Sequence, residues 1–468
     1  MATEYKVSPF GGAVNIRVRV PGSKSMTNRA LLLAALAEGD STLFGIGVSD
    51  DSRVFMEALT ALGFDLKESY ESDGSVSVKI SGCSGNLPSK KTSVYVGSAG
   101  TAARFLTAMM ALSDGSYEVT SSEQMKKRPM KELLEALEAL GASFDYHEEP
   151  YAFPFTVTGR KHESNIDKPI PTEVPLNIDK SSQFLSALLL CSPMVPEGFT
   201  IRLTGTRDAL SYVRITEYMM RQFKQRNGGY SASEEPCATA PSSEESYSSG
   251  ERKYAVQPNS SYTSQDYHVE PDVSAACYFY SLAAVNGGKA TVIGVNRENT
   301  QGDLRFLDVL ERMGCRVSTD ADGDIVVSRD IGMHLHGVKV DMSDFSDQTM
   351  TLAAIAPFAK GVTTITGVAH IRGQESNRIE AIVNELTRLG VECEELPDGV
   401  RIIPFDEDEL EKRMEEVKEI RIETYNDHRM AMAFAVAGTF LPGVIIDNPD
   451  CCRKTFDSYF DILTCLRV

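Results

Sequence analysis

Six times along the chain the same pattern recurs: small polar residues, an almost charge-free Ala/Leu/Met-rich run, then a glycine or proline stop. The copies are PGSKSMTNRALLLAALAEG (21–39), GSAGTAARFLTAMMALSDG (97–115), SSQFLSALLLCSPM (181–194), PDVSAACYFYSLAAVNGG (271–288), SDQTMTLAAIAPFAKG (346–361) and NDHRMAMAFAVAG (426–438). Most are spaced by roughly 75–80 residues, a period that marks a repeat architecture. A helix apolar all round is buried all round. Its cover comes from a second helix in each unit, as in SRVFMEALTALGFDL, MKELLEALEALGASF, DLRFLDVLERMGCRV and ESNRIEAIVNELTRLGVEC. These have one apolar face, a glycine at the C′ position and a short strand after it. RITEYMMRQF (214–223) and FDSYFDILTCLRV (456–468) fill the last two places less cleanly. Strand-like runs such as VNIRVRV, SVSVKI, YEVT, ATVIGV and GVIID lie between. The unit reads as two strand–helix pairs plus an extra strand.

At 468 residues the chain exceeds one ordinary core, so two or three domains are expected. The net charge of −19 argues against nucleic acid as a partner. It leaves room for small anions held in a local cationic cleft. Nine cysteines show no CxxC pair or metal-ligand spacing, and Cys451 and Cys452 are adjacent, which suggests reduced thiols in the cytoplasm. No run approaches the roughly 18 apolar residues of a membrane span. The opening MATEYKVSPFGG lacks the character of a signal or transit segment.

What precedes the six apolar runs is harder to explain by folding alone. A helix N-terminus carries partial positive charge, so Lys24 and Arg29 are unfavourable there by up to about 1 kcal/mol. Arg104 follows Gly97–Thr101; Ser181, Ser182 and Gln183 open the third run. Asp272, Asp347 and Asp427–His428–Arg429 open the other three. Serines and aspartates there are ordinary N-caps; the cations are not. Free N–H groups, hydroxyls and cations together form an anion site. The Walker A pattern does not fit GSKS, which lacks the upstream glycine. Asp347, and Glu375 beside Arg378, are acids that proton transfer could use, since a carboxylate buried near bound anions has its pKa pushed up.

The motifs PGSKSMTNRALLLAALAEG, GSAGTAARFL, MKKRPM, SSQFLSALL, QESNR, YNDHRMAMAFA and RKTF, in this order, resemble the 3-phosphoshikimate 1-carboxyvinyltransferase (5-enolpyruvylshikimate-3-phosphate synthase) family across nearly the whole chain. The resemblance implies an α/β fold, a two-domain inside-out α/β barrel of six βαβαββ repeats, three per domain. The domains would be 1–20 with 270–468, and 21–269. It implies that phosphoenolpyruvate and shikimate-3-phosphate are trapped between two sets of helix N-termini. Addition of the 5-hydroxyl to C2 of phosphoenolpyruvate is then followed by loss of phosphate. By the same resemblance Asp347 handles the hydroxyl proton and Glu375 the proton at C3, while Lys24 touches both ligands. Ser25, Arg29, Ser181, Ser182, Gln183, Tyr212, Asp347 and Gln374 go with shikimate-3-phosphate. Gly100, Gln124, Gln183, Arg378, Arg429 and Lys454 go with phosphoenolpyruvate. No cofactor, metal, covalent intermediate or membrane is implied, and a cytoplasmic monomer is expected.

Gln124 stands where the family usually has arginine, Gln374 where a lysine is common, and His370 where asparagine is usual. The expected serine of DALSYVRITEYMM falls on Ala209, leaving Ser211 nearby. Lys126, Lys127 and Arg128 are candidates to replace the charge missing at Gln124. The Ser/Glu-rich stretch 226–265 reads as a surface extension with a mobile tip. Two other readings stand beside this one. The sister UDP-N-acetylglucosamine enolpyruvyl transferase needs a loop cysteine within 97–130, and there is none. A non-catalytic ligand-binding relative would explain the departures but not the full set of acids and cations. Gly100 leaves room for the inhibitor glyphosate, so sensitivity to it is expected.

Overall fold

The computed structural model describes residues 4–72, 74–165, 171–206, 210–223, 230–232 and 252–466. Ala209, and the stretches 226–229 and 233–251 of the Ser/Glu-rich extension, lie outside the described residues. The chain divides into two compact units: Met1–Met26 with Gly45–Asp50 and Val269–Val468, and Thr27–Phe44 with Asp51–His268.

Each unit is built on the apolar runs. Ala, Leu and Met lose little rotamer freedom in a helix, and none of these runs has an extended β-branched stretch to oppose it. In the first unit Val273–Asn286 is buried from Val273 through Val285, and His428–Phe440 from His428 through Thr439. Thr349–Ile355 is buried throughout. In the second unit Gln183–Cys191 is buried from Phe184 onward, and the 97–115 run forms a π-helical turn, Ala102–Leu106, continued by Thr107–Ala111. The covering helices stop where glycine permits a left-handed residue. Gly63, Gly141, Gly314 and Gly390 have φ of +91, +102, +100 and +81°. The next N–H in each case closes a six-residue loop: Phe64 to the Leu59 carbonyl, Ala142 to Leu137, Cys315 to Leu310 and Val391 to Leu386, at 2.8–3.1 Å.

Among the described residues five four-stranded sheets share one strand order, beside a three-stranded sheet and the short parallel pair Leu335–His336 and Ala359–Lys360. Lys91–Tyr95 runs parallel to Ser116–Thr120, which pairs antiparallel with Phe155–Thr158, and that strand pairs antiparallel with Ser143–Tyr146. The sheets starting at Glu173–Asn177, Val14–Val18 and Lys339–Asp341 repeat these orientations. A fifth places Asp266–His268, Asp40–Ile46, Val76–Ser81 and Leu66–Tyr70 in the same order. The sixth is three-stranded, Ile420–Ile422 parallel to Val444–Asp447 and the latter antiparallel to Glu4–Lys6. Four-stranded sheets have one strand more than the apolar pattern indicated. The strand expected after each covering helix is an edge, mostly exposed in Leu66–Tyr70, Arg316–Thr319 and Glu392–Leu396, so its place after the closing glycine marks it and alternation does not.

Candidate active site

In the second unit, Arg29 lies more than a turn into helix Lys24–Leu36 and is 1 % exposed. Its guanidinium donates to the Thr216 hydroxyl at 2.8 Å and the Tyr212 carbonyl at 3.2 Å, and lies 5.3 Å from the centre of the Phe105 ring. Burial pulls its pKa down to about 10, against the opposing charge of the Tyr212 phenol. Asn28 donates to Thr101 at 2.6 Å, tying this helix to the 97–101 lead-in. The π-helical turn that follows carries Arg104, which is buried. Arg104 donates to Gln183 Oε1 at 2.7 Å, to the Pro129 carbonyl at 3.0 Å and to the Gly100 carbonyl at 3.4 Å. A Cβ on Gly100 would stand 2.7 Å from Arg104 Nη1, 3.0 Å from Arg128 Nη2 and 3.1 Å from Gln183 Oε1. Only glycine leaves these three groups where they are. Ser181 accepts from the Gln183 N–H at 3.3 Å, which ties up a free donor at the start of helix Gln183–Cys191.

The first unit gathers charges of both signs. Pro21–Lys24 runs beside Glu270–Asp272: the Ser23 N–H donates to the Glu270 carbonyl, and the Asp272 N–H to that of Pro21, both at 2.8 Å. Asp272 caps helix Val273–Asn286 through the Ala275 N–H at 3.2 Å. Burial raises its pKa, while Arg429 and Lys24 hold it down. Asp347 stands in the turn Ser346–Gln348 and accepts from Arg378 at 3.1 Å and from Arg429 at 2.7 Å. Glu375 accepts from Arg378 at 3.0 Å and pairs with Lys454 at 3.2 Å. Arg378 opens helix Arg378–Arg388 and also donates to Asp427, through Nε at 2.8 Å and Nη2 at 3.3 Å, and to Gln374. Burial by itself lowers its pKa; Asp427, Glu375 and Asp347 outweigh that and raise it.

Asp427 in turn caps helix His428–Phe440 through the Arg429 N–H at 3.0 Å. The two residues before it, Tyr425 and Asn426, both have left-handed φ, +54 and +55°, a strained arrangement held by the Tyr425 hydroxyl donating to buried Glu385 at 2.9 Å. His428 is buried, and burial followed by the charges of Lys24, Arg429 and Lys454 pushes its pKa well below the usual value, so its imidazole is neutral.

Several expected residues find different work. Lys126 pairs with Glu123 and Glu148, each at 3.0 Å, and Lys127 is exposed; of the three candidates to replace the charge missing at Gln124, Arg128 is the one seen against Gly100. His370 hydrogen-bonds the Ser346 hydroxyl at 2.9 Å, on the turn that carries Asp347. The partners Thr216, Gln348 and Glu385 had no sequence signal beyond a polar residue in a buried helical position. Away from these clusters Asp320, Asp322 and Asp324 come together, but Arg17 donates to all three at 2.6–3.1 Å and supplies the compensating charge.

A family model described as EPSP synthase (3-phosphoshikimate 1-carboxyvinyltransferase) matches residues 10–230 and 245–463. A 3-phosphoshikimate 1-carboxyvinyltransferase from Nostoc sp. is 38 % identical over 447 residues, covering 96 % of this chain and 95 % of the relative. One from Escherichia coli is 36 % identical over 465 residues, covering 98 % and 97 %. Among solved structures, an EPSP synthase from Acinetobacter baumannii superposes with a TM-score of 0.75 at 22 % identity, over 99 % of this chain and 98 % of that one, which shows the fold to be shared. This chain belongs to the EPSP synthase (3-phosphoshikimate 1-carboxyvinyltransferase) family.

Proposed function

We propose that this chain transfers the enolpyruvyl group of phosphoenolpyruvate to the 5-hydroxyl of shikimate-3-phosphate, releasing phosphate, on the route to chorismate and the aromatic amino acids. The observation that carries the reading is a shared arginine. Asp347 and Glu375 both accept from Arg378, and each has a further cation of its own, Arg429 or Lys454. Two acids with separate counter-ions suit two proton transfers at different atoms.

As the 5-hydroxyl oxygen attacks C2 of phosphoenolpyruvate, Asp347 takes its proton and Glu375 gives one to C3. The C2–C3 π pair becomes the new C3–H bond, and C2 becomes tetrahedral. The C2–O bond to phosphate then breaks with its electron pair, C3 returns a proton, and the double bond reforms. Arg378 and Arg429 hold the substrate carboxylate, Lys454 and Lys24 its phosphate, with Gly100, Gln124 and Gln183 as further contacts. Ser25, Arg29, Ser181, Ser182, Tyr212 and Gln374 hold shikimate-3-phosphate. Arg378 uses its five N–H groups on Asp427, Asp347, Glu375 and Gln374. A substrate carboxylate therefore reaches it by displacing an acid, and an acid relieved of its arginine is the stronger base.

The strand order common to the five four-stranded sheets supports the finer architecture, an inside-out α/β barrel of six βαβαββ repeats. We place the domain limits at 1–20 with 270–468, and 21–269. Among the described residues no helix is long and apolar enough to cross a membrane, and the cysteines are unpaired, which supports a cytoplasmic setting. We take the working form to be a monomer. The test is phosphate release, expected only with both substrates present. Full activity in Asp347→Ala and Glu375→Ala would overturn the mechanism, and a folded protein with no turnover would overturn the function.

A further inference from the structure

Behind Asp347 lies a second carboxylate that the mechanism above does not use. Asp303 opens the turn Gly302–Arg305 in the QGDLR segment and is 4 % exposed. Its Oδ1 accepts from Gln348 Nε2 at 2.7 Å. Gln348 is itself fully buried, takes a second hydrogen bond at Oε1 from the Thr351 hydroxyl at 3.0 Å, and is the residue that follows Asp347. The turn bearing the proposed base is thus fastened to Asp303 on its buried side. The adjoining Gln301 is also committed: its amide accepts from the Val273 N–H at 3.1 Å and donates to Glu270 and the Pro271 carbonyl. Asp303 therefore sits on a short rigid link between the Asp272 helix start and the Asp347 turn.

We propose that Asp303 is a positioning residue for Asp347: it fixes the Asp347 turn through Gln348, and its negative charge makes Asp347 a stronger base. The inference rests on the function proposed above. The charged and titratable groups facing Asp303 are Asp347, Arg429 and Asp272, with the Cys277 thiol donating to its backbone carbonyl at 3.8 Å. Burial first, and then the charge of Asp347, push the Asp303 carboxyl above its ordinary value; Arg429 and the Gln348 amide act the other way. The influence is reciprocal, since two like charges in a water-poor site each favour the other's protonation.

Two variants separate charge from attachment. Asp303→Asn keeps an oxygen for the Gln348 amide and removes the charge. Its plateau kcat should stay within about threefold of wild type, while the acid limb of kcat/KM moves to lower pH by about one unit, the size expected for a lost like charge. The substrate phosphates titrate in the same range, but identically for both proteins, so the difference belongs to the enzyme. Asp303→Ala also removes the attachment, and its kcat should fall a further tenfold or so with both KM values nearly unchanged, as for a misplaced base. An acid limb in Asp303→Asn that coincides with wild type overturns the charge role, and equal plateau kcat in the two variants overturns the attachment. If wild type itself releases no phosphate, the function falls; if wild type is active and the variants match it, this inference falls alone.

Discussion

Arg29 and Arg378 are both buried, one in each unit, and burial ends in opposite results. In the second unit Arg29 meets a hydroxyl, a carbonyl and an aromatic ring, and its pKa falls to about 10. In the first unit Arg378 meets Asp427, Asp347 and Glu375, and its pKa rises. An arginine whose pKa burial has lowered gains from an arriving anion. One inside a carboxylate cluster can take a new anion only by exchange. The second unit reads as a platform for binding, the first as a place where binding alters the basicity of acids.

The widest separation between them should appear in kinetics. Asp347→Ala and Glu375→Ala should lower kcat about 10²- to 10⁴-fold with modest changes in KM, the usual reach of general acid–base catalysis. Arg29→Gln should instead raise the KM for shikimate-3-phosphate and spare kcat. Steady-state phosphate release separates the two patterns, and a kcat loss in Arg29→Gln equal to that in Asp347→Ala would erase the distinction.

Stability should divide the same two arginines. Arg378→Met strands Asp427, which is fully buried, with Asp347 and Glu375, and should cost about 3–5 kcal/mol. Arg29→Met behaves differently. Its folded-state pKa lies below the ordinary 12.5, so keeping it charged at neutral pH costs folding free energy, and the cost eases only as pH climbs through about 10. The variant should unfold in urea at a midpoint close to wild type at pH 7. A collapse of Arg29→Met as large as that of Arg378→Met would show that Arg29 is a structural ion-pair partner.

How much of this was readable beforehand follows the same line. The apolar helices and their polar starts were legible because composition alone makes them, and the glycines closing the covering helices because only a left-handed residue fits there. The edge strand Leu66–Tyr70 was legible only from its place after Gly63, since a strand facing water on most of its length needs no alternation. Lys126 looked like a ligand cation until Glu123 and Glu148 were seen beside it, one of them 22 residues away in sequence. Asp303 drew no notice at the head of its covering helix, because its partner Gln348 lies 45 residues on. Which charges cancel is a property of tertiary contact, and no local pattern encodes it.

Gln124 gives the comparison a gain-of-function test. The second unit lacks the arginine usual at this position, and of the basic residues that follow, Arg128 alone lies against Gly100. Gln124→Arg should add a charge-assisted hydrogen bond worth about 1.5–3 kcal/mol. The KM for phosphoenolpyruvate should then fall roughly ten- to hundredfold, by the usual conversion of free energy to affinity. An unchanged KM would mean that Arg128 already does this work, and Arg128→Gln would then show the larger loss.

The smallest change is a single methyl group. Gly100→Ala places a carbon 2.7 Å from Arg104 Nη1, closer than side-chain contacts allow, while the flexible ends of Arg128 and Gln183 stand just beyond at 3.0 and 3.1 Å. Arg104 must then move, and with it the 2.7 Å bond to Gln183. Overpacking of this kind costs about 1–3 kcal/mol. Because Arg104 is fastened to the Gln183 amide and to the Pro129 and Gly100 carbonyls, the cost should fall on ligand binding. Wild type should be inhibited by glyphosate, and Gly100→Ala should resist it by about five- to hundredfold, with a rise in the KM for phosphoenolpyruvate and little loss of kcat. Inhibition curves at several phosphoenolpyruvate concentrations decide it. Equal inhibition of the two proteins would mean that Arg104 yields without consequence, and that the second unit is not the tightly fitted platform its geometry suggests.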